Sequence, residues 1–123
     1  MIEGIVGLNL EATIRLRVAD SEGHWHELQA VIDTGFGGFL TLPASIILAL
    51  NLEPLDFNEA VLGNGTIHRF RTYDAAILWD DRIRNIEVDE SDVMPLVGMS
   101  LLAGHELRIR VAEGDSVTVE ALA

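Results

Sequence analysis

The sequence contains no cysteine, and only 8 of its 123 residues are lysine or arginine, against 20 aspartates and glutamates. Without cysteine the chain has no disulfide framework, as is usual for cytoplasmic proteins. The net charge of −12 argues against nucleic acid and anionic membranes as partners, because side chains that neutralise phosphate are scarce. The same acidity favours neutral or basic polypeptides as partners.

Long hydrophobic runs are also missing. No apolar stretch approaches the roughly 18 residues of a membrane span, and the N-terminus shows no basic region followed by an apolar segment. We therefore expect neither a membrane anchor nor a signal peptide, and a cytoplasmic location. Because 49% of the residues are nevertheless hydrophobic, the chain can bury one core and is predicted to be a single domain over residues 1–123.

Most of the chain has the apolar patterns of β-strands. Residues 13–18 alternate, with Ile14, Leu16 and Val18 predicted on the core side, and Trp25–Ile32 returns after a turn at residues 20–23. Ala44–Leu50 is predicted to be a helix that starts after Pro43 and stops at Asn51. The other predicted strands cover residues 7–10, 59–62, 66–73, 74–79, 83–88, 106–111 and 116–121.

Residues 30–43 stand out from this pattern. Residues 30–32 are predicted to form a strand buried on both faces, and this strand delivers Asp33 to the boundary between core and surface. Gly35, Gly37 and Gly38 then let the backbone turn away. A carboxylate at such an edge is suited to acid or base chemistry. The tripeptide Asp33-Thr34-Gly35 alone is a weak motif, so a simple turn aspartate is the alternative interpretation.

The longer segment resembles the active-site loop of the retropepsin-like aspartic proteases, especially the small single-domain bacterial and archaeal type. The residues that carry the resemblance are Asp33-Thr34-Gly35, Phe36 and residues 40–43, together with Leu96-Val97-Gly98 and the short helical segment that follows. The resemblance implies a mainly β acid-protease half-barrel with one or two short helices, a flap hairpin and a homodimer. Residues 59–73, with Gly63-Asn64-Gly65 at the tip, match the flap, although an ordinary surface hairpin is the simpler alternative.

Hydrolysis by these proteases needs two carboxylates that share one proton. This chain has one Asp-Thr-Gly, so the resemblance implies a homodimer that supplies Asp33 twice. It also implies that Thr34 braces the two loops and that Gly35 permits the bend. The substrate is then a polypeptide, with no metal and no cofactor, and the substrate-binding residues are Phe36, Gly37, Gly63, Asn64, Gly65, Leu96, Val97 and Gly98.

Some features favour other interpretations. Phe36 occupies a position where many of these proteases have a small residue, which favours a peptide-binding or assembly module with weak or absent catalysis. His24 and His26 suggest a metal site but lack a third ligand, so a solvated hairpin is favoured. The acidic residues of segment 87–92 are predicted to form a solvated edge or loop. His68 receives no role, and His105 is predicted to be exposed.

Overall fold

The computed structural model describes residues 1–123 and consists mainly of β-strands, as the sequence predicts. The two helices are α1 (Ala44–Leu50) and α2 (Met99–Leu102), and a single turn of 3-10 helix covers Leu8–Leu10. The strands are β1 (Ile2–Val6), β2 (Ala12–Ala19), β3 (Trp25–Ile32), β4 (Leu40–Leu42), β5 (Glu53–Val61), β6 (Ile67–Trp79), β7 (Arg82–Glu90), β8 (Leu96–Val97), β9 (His105–Ile109) and β10 (Ser116–Ala121).

All ten strands belong to one sheet, in the order β5-β6-β7-β4-β8-β3-β2-β1-β10-β9. An additional pairing of β6 with β2, at Val18 and Ile77, closes the middle six strands into a ring. The hairpin of β5 and β6 projects from one side of this ring, while β1, β10 and β9 extend the sheet on the other side. The loops and the hairpin therefore emerge from this ring.

The core lies inside this ring and combines 23 buried apolar side chains. Ile14, Leu16 and Val18 point into it, as their alternation predicts, and Ile77 and Val97 are also fully enclosed. Residues 30–32 are buried as well, which confirms a strand covered on both faces. Removal of this apolar surface from water is the main force that holds the ring together.

Two elements differ from the sequence-based expectation. The predicted edge strand at residues 7–10 is wrong, because the chain must reverse there between the antiparallel strands β1 and β2. Asn9 and Leu10 adopt left-handed backbone conformations in this turn, with φ of 62° and 59°. The segments 66–73 and 74–79 form one strand, β6, since no glycine or proline interrupts them.

Helix α1 begins and ends as predicted. Pro43 precedes its first turn, and Asn51 ends it with a left-handed φ of 51°, its N–H donating to the carbonyls of Ile47 and Leu48. Ile47 and Leu50 are the buried face. Neither helix has the length and apolar character that would cross a lipid bilayer.

The surroundings of His105 contradict its predicted exposure. Its side chain is half-buried, and its Nε2 accepts a hydrogen bond of 3.2 Å from the Nε1–H of the buried Trp79. The rings also meet edge to face, with centroids 5.6 Å apart. His105 therefore satisfies the polar group of a core tryptophan, which the sequence pattern did not indicate.

Candidate active site

Asp33 lies directly after β3 and is half-buried, where the covered strand reaches the surface. Its backbone N–H donates to the carbonyl of Val97 at 2.9 Å, which continues the parallel pairing of β3 with β8. Its carboxylate Oδ1 accepts a hydrogen bond of 2.9 Å from the N–H of Gly35. The backbone thus holds both the position and the orientation of this acid.

The loop after Asp33 is fastened to the start of α2. The N–H groups of Met99 and Ser100 donate to the carbonyls of Phe36 and Gly38 at 2.8 and 3.1 Å. In addition, the Ser100 hydroxyl donates to the carbonyl of Gly37 at 2.6 Å. The segment Leu96-Val97-Gly98 and the start of α2 therefore lie beside the loop of residues 33–38, the acid loop.

Glycine at position 98 is required by the close approach of these two segments. A Cβ at Gly98 would overlap the carbonyl oxygen of Gly38 and come within 2.8 Å of the Phe36 carbonyl oxygen. At Gly38 a Cβ would lie 2.7 Å from Cε1 of the Phe36 ring. No glycine of the acid loop has a left-handed φ, so at Gly98 and Gly38 glycine provides space rather than unusual backbone angles.

The Thr34 side chain is exposed to solvent, whereas the Phe36 ring packs within the loop. Thr34 is exposed, and its hydroxyl makes no hydrogen bond within the chain. The half-buried Phe36 ring lies between Gly38 and the backbone of Gly98. Phe36 therefore fills the space inside the loop, while Thr34 is available for contact with another molecule.

The hairpin of β5 and β6 turns at residues 62–66. Asn64 closes this turn, because its side-chain oxygen accepts hydrogen bonds from the Thr66 N–H at 3.0 Å and the Thr66 hydroxyl at 2.7 Å. Gly65 has a left-handed φ of 84°. All residues from 53 to 69 are exposed, so few contacts hold the outer hairpin against the ring.

A cavity of about 390 Å³ lies between the hairpin and the acid loop. Of the predicted substrate-binding residues, Phe36 alone lines it; Gly37, the tip residues 63–65 and residues 96–98 do not. Its other walls include three side chains that sequence reasoning gave no functional role: His68 and Phe70 from β6, and Asp89 from β7.

The prediction that the acidic residues of segment 87–92 form a solvated edge or loop is wrong for most of them. β7 lies inside the sheet between β6 and β4, so Glu87, Asp89 and Glu90 are half-buried, and only Asp92 is exposed. Asp89 Oδ2 lies 3.2 Å from the position of a Cβ on Gly38. Burial, followed by the negative charge of Glu87, raises the pKa of Asp89 from 3.8 to about 6.

This raised pKa predicts a pH-dependent effect of Asp89→Asn on stability. The ionised carboxylate is less favourable in the folded than in the unfolded chain, so its destabilising effect grows as pH rises from about 4 to above 6. Because the group is only half-buried, we expect Asp89→Asn to raise the free energy of unfolding by on the order of 1 kcal/mol at pH 8. At pH 4 the gain should vanish. Urea unfolding of both proteins at pH 4 and pH 8 measures this gain. An equal gain at both pH values would contradict the predicted pH dependence.

His24 lies in the β2–β3 turn, and His26 lies near the start of β3. Both approach the Asp20 carboxylate, with Nε2 of His26 at 2.7 Å and Nδ1 of His24 at 3.6 Å. The hydrogen bond with His26, followed by the backbone N–H of His24, lowers the pKa of Asp20 to about 2. No group of three or more histidines, cysteines or carboxylates in the chain is arranged to hold a metal ion.

No family model matches the sequence, and no curated protein matches it either. The structure is similar to the crystal structure of a retropepsin-like aspartic protease from Rickettsia conorii, with a TM-score of 0.64. The alignment covers 99% of this chain and 90% of that chain, at 17% sequence identity. The fold is retropepsin-like. The predicted mainly β, retropepsin-like fold is thereby confirmed, while the flap and the homodimer stay predictions.

Within the retropepsin-like fold, this chain supplies one acid loop. Asp20 lies at the other end of β3, about 26 Å away for an eight-residue strand. Asp115 lies beside the end of β1, about 14 Å from Asp33 across three strand spacings. It is also paired with Arg110 at 3.1 Å. Neither acid can therefore serve as a second carboxylate next to Asp33.

Proposed function

We propose that the chain is an aspartic endopeptidase that hydrolyses peptide bonds as a homodimer. One observation carries the proposal: in a retropepsin-like fold, Asp33 is half-buried at the end of β3, where its backbone N–H donates to the Val97 carbonyl and its carboxylate accepts from the Gly35 N–H. A carboxylate held in this way can act on a substrate without first reorganising.

Catalysis requires two Asp33 side chains, one from each subunit. Two carboxylates about 3 Å apart do not both ionise readily, so they hold one proton between them. The ionised carboxylate accepts a proton from a water molecule as this water attacks the peptide carbonyl carbon. The protonated carboxyl donates its proton to the carbonyl oxygen. Thr34, exposed and without a partner in its own chain, braces the opposing loop.

Several exposed apolar side chains support a dimer at this end of the molecule. β3 and β1 end there, and β2 and β10 begin there, as their register shows. The turn of Leu8–Leu10 and residues 110–115 therefore lie at the same end as Asp33. Leu8, Leu10 and Val111 are 71%, 59% and 68% exposed. An isologous contact would bury these side chains and bring the acid loops together.

A strand near the chain termini can pair with a second subunit only if it has a free edge. β1 lies between β2 and β10, and β10 lies between β1 and β9, so neither offers a free edge. Near the termini, the free edge belongs to β9 (His105–Ile109). We therefore place the seam at the acid loop, the Leu8–Leu10 turn and the β9 side of the sheet.

The double variant Leu8→Asp/Leu10→Asp should shift the protein toward monomer and lower its activity with it. Sedimentation of the wild type at micromolar concentration should give twice the chain mass of 13.5 kDa. In the variant, two buried charges oppose the interface, and we expect the dimer dissociation constant to rise by at least about 100-fold.

Leu48→Asp is the matched control. Leu48 is 80% exposed on α1. The carbonyl of Leu50, the last residue of α1, accepts a hydrogen bond from the N–H of Ser21 in the β2–β3 turn, so α1 lies at the end of this hairpin that is far from Asp33. This variant should keep the wild-type mass. A wild-type monomer that cleaves peptides at full rate, with no dependence on protein concentration, would refute the dimer.

A direct assay tests the proposed activity. The wild type should cleave an unfolded casein-type substrate, mostly on the acid side of neutrality, where the pair of carboxylates holds one proton. A statine-type mimic of the tetrahedral transition state should block this cleavage. The absence of cleavage from pH 3 to 8 by a protein shown to be dimeric would reject the peptidase proposal.

The second candidate function is a peptide-binding module with little turnover. Phe36 favours it, because its ring packs against Gly38 and the backbone of Gly98 inside the acid loop and also lines the adjacent cavity. Peptide binding without cleavage at any pH, unchanged by Asp33→Asn, would establish this function instead.

A further inference from the structure

The cavity beside the acid loop has walls of two kinds. The rings of Phe36, His68 and Phe70 form an aromatic part, and the carboxylates of Asp89, Glu90 and Asp92 form an acidic part. Its volume of about 390 Å³ is sufficient for one long side chain of a bound peptide. The β5–β6 hairpin covers it on one side and the acid loop borders it on the other.

Asp89 is the unusual group in this cavity. Burial and the like charge of Glu87 both act on it, while no hydrogen bond and no cation in the chain compensates it. A half-buried carboxylate without such a partner is unfavourable for the folded chain. A cationic partner that arrives from outside would compensate it.

The chain itself cannot provide that partner. His68 lines the cavity but makes no hydrogen bond or ion pair with Asp89. The strongly basic side chains are eight arginines, and none of them lines the cavity. Five of them pair with carboxylates elsewhere, namely Arg15, Arg17, Arg69, Arg108 and Arg110. Of the other two cavity acids, Glu90 accepts a hydrogen bond of 3.3 Å from the Tyr73 hydroxyl, and Asp92 is exposed. The cavity thus remains negatively charged.

We propose that this cavity is a subsite for a lysine or arginine side chain of the polypeptide substrate, and that Asp89 is its specificity-determining residue. The proposal rests on the proposed function, since it assigns the substrate class of the same cleft. The aliphatic stem of the basic side chain packs along Phe36 and Phe70, and its charged head reaches Asp89. Pairing there compensates the carboxylate that the free chain leaves unpaired.

Matched peptides test this assignment. Two series should be made that place either lysine or norleucine, a neutral residue of similar length, at each position around the scissile bond. At one position, the wild type should show kcat/KM about tenfold higher for lysine than for norleucine at pH 7. In Asp89→Asn this ratio should fall to near one.

Asp81→Asn is the control variant. Asp81 lies in the turn at the other end of β7, where its left-handed φ of 64° suits asparagine equally well. The substitution removes the same charge from the protein but not from the cavity, so the lysine preference should persist. An unchanged preference in Asp89→Asn, or no lysine preference at any position in the wild type, would overturn the subsite.

A binding measurement separates the subsite from the catalytic proposal. In the Asp33→Asn background, affinities for the same peptides are measured without cleavage, alone and combined with Asp89→Asn. If lysine peptides bind more tightly through Asp89 while the wild type cleaves nothing, the subsite stands and the peptidase proposal fails. If the wild type cleaves lysine and norleucine peptides equally well, the peptidase proposal stands and the subsite fails. Absence of both binding and cleavage overturns both.

Discussion

Replacing Asp33 with asparagine should reduce peptide hydrolysis by at least about 1,000-fold, because both carboxylates of the shared site are lost at once. Asparagine has nearly the same shape, and its amide oxygen can still accept from the N–H of Gly35. The fold should therefore persist. At pH 7 the variant should dimerise at least as well as the wild type, since two facing negative charges have been removed.

Three measurements on the same pair of proteins define the result: the cleavage rate against pH, the dimer dissociation constant and the affinity for a non-cleavable peptide. Asp81→Asn controls for the change in net charge and should cleave like the wild type. If Asp33→Asn also cleaves like the wild type, Asp33 is a turn aspartate and the peptidase assignment is wrong.

The second large effect is expected for Gly98→Ala. The new methyl group would overlap the carbonyl oxygen of Gly38 and meet that of Phe36, and backbone atoms cannot move aside as side chains do. The acid loop would have to separate from α2, with loss of the hydrogen bonds that Met99 and Ser100 donate. We expect a loss of about 3 kcal/mol or more in the free energy of unfolding.

Gly37→Ala in the same loop is the matched control. No atom outside its immediate neighbours lies within 4 Å of a Cβ at Gly37, and its φ is not left-handed. The free energy of unfolding should change by less than about 1 kcal/mol, because alanine makes the unfolded chain less flexible and meets nothing in the folded one. Equal effects of the two substitutions in urea unfolding would contradict the close packing assigned to Gly98.

The sequence predicts the centre of this fold well because local patterns and the tertiary environment agree there. Residues 30–32 are continuously apolar and the structure covers them on both faces, which leaves Asp33 at the boundary. Asn51 tolerates the left-handed conformation that ends α1. At each of these positions the local sequence favours the same conformation and environment that the whole fold imposes.

Predictions failed where distant elements decide the outcome. The alternation in β7 places Ile86 and Val88 in the core and Asp89 on the opposite face, which suggests exposure to solvent. That face is covered by the acid loop, some fifty residues away in sequence, and no local pattern records this contact. Similarly, Leu8 and Leu10 alternate like a strand, yet antiparallel pairing of β1 with β2 requires a turn there.

Mixing the wild type with Asp33→Asn tests most directly whether two chains share one active site. The two proteins are unfolded together at a one-to-one ratio and refolded, so that half of the dimers are mixed. If each site needs both Asp33 carboxylates, the activity per total protein should fall to about one quarter of that of pure wild type. A fall to only about one half would show that each chain works alone, which would contradict the account.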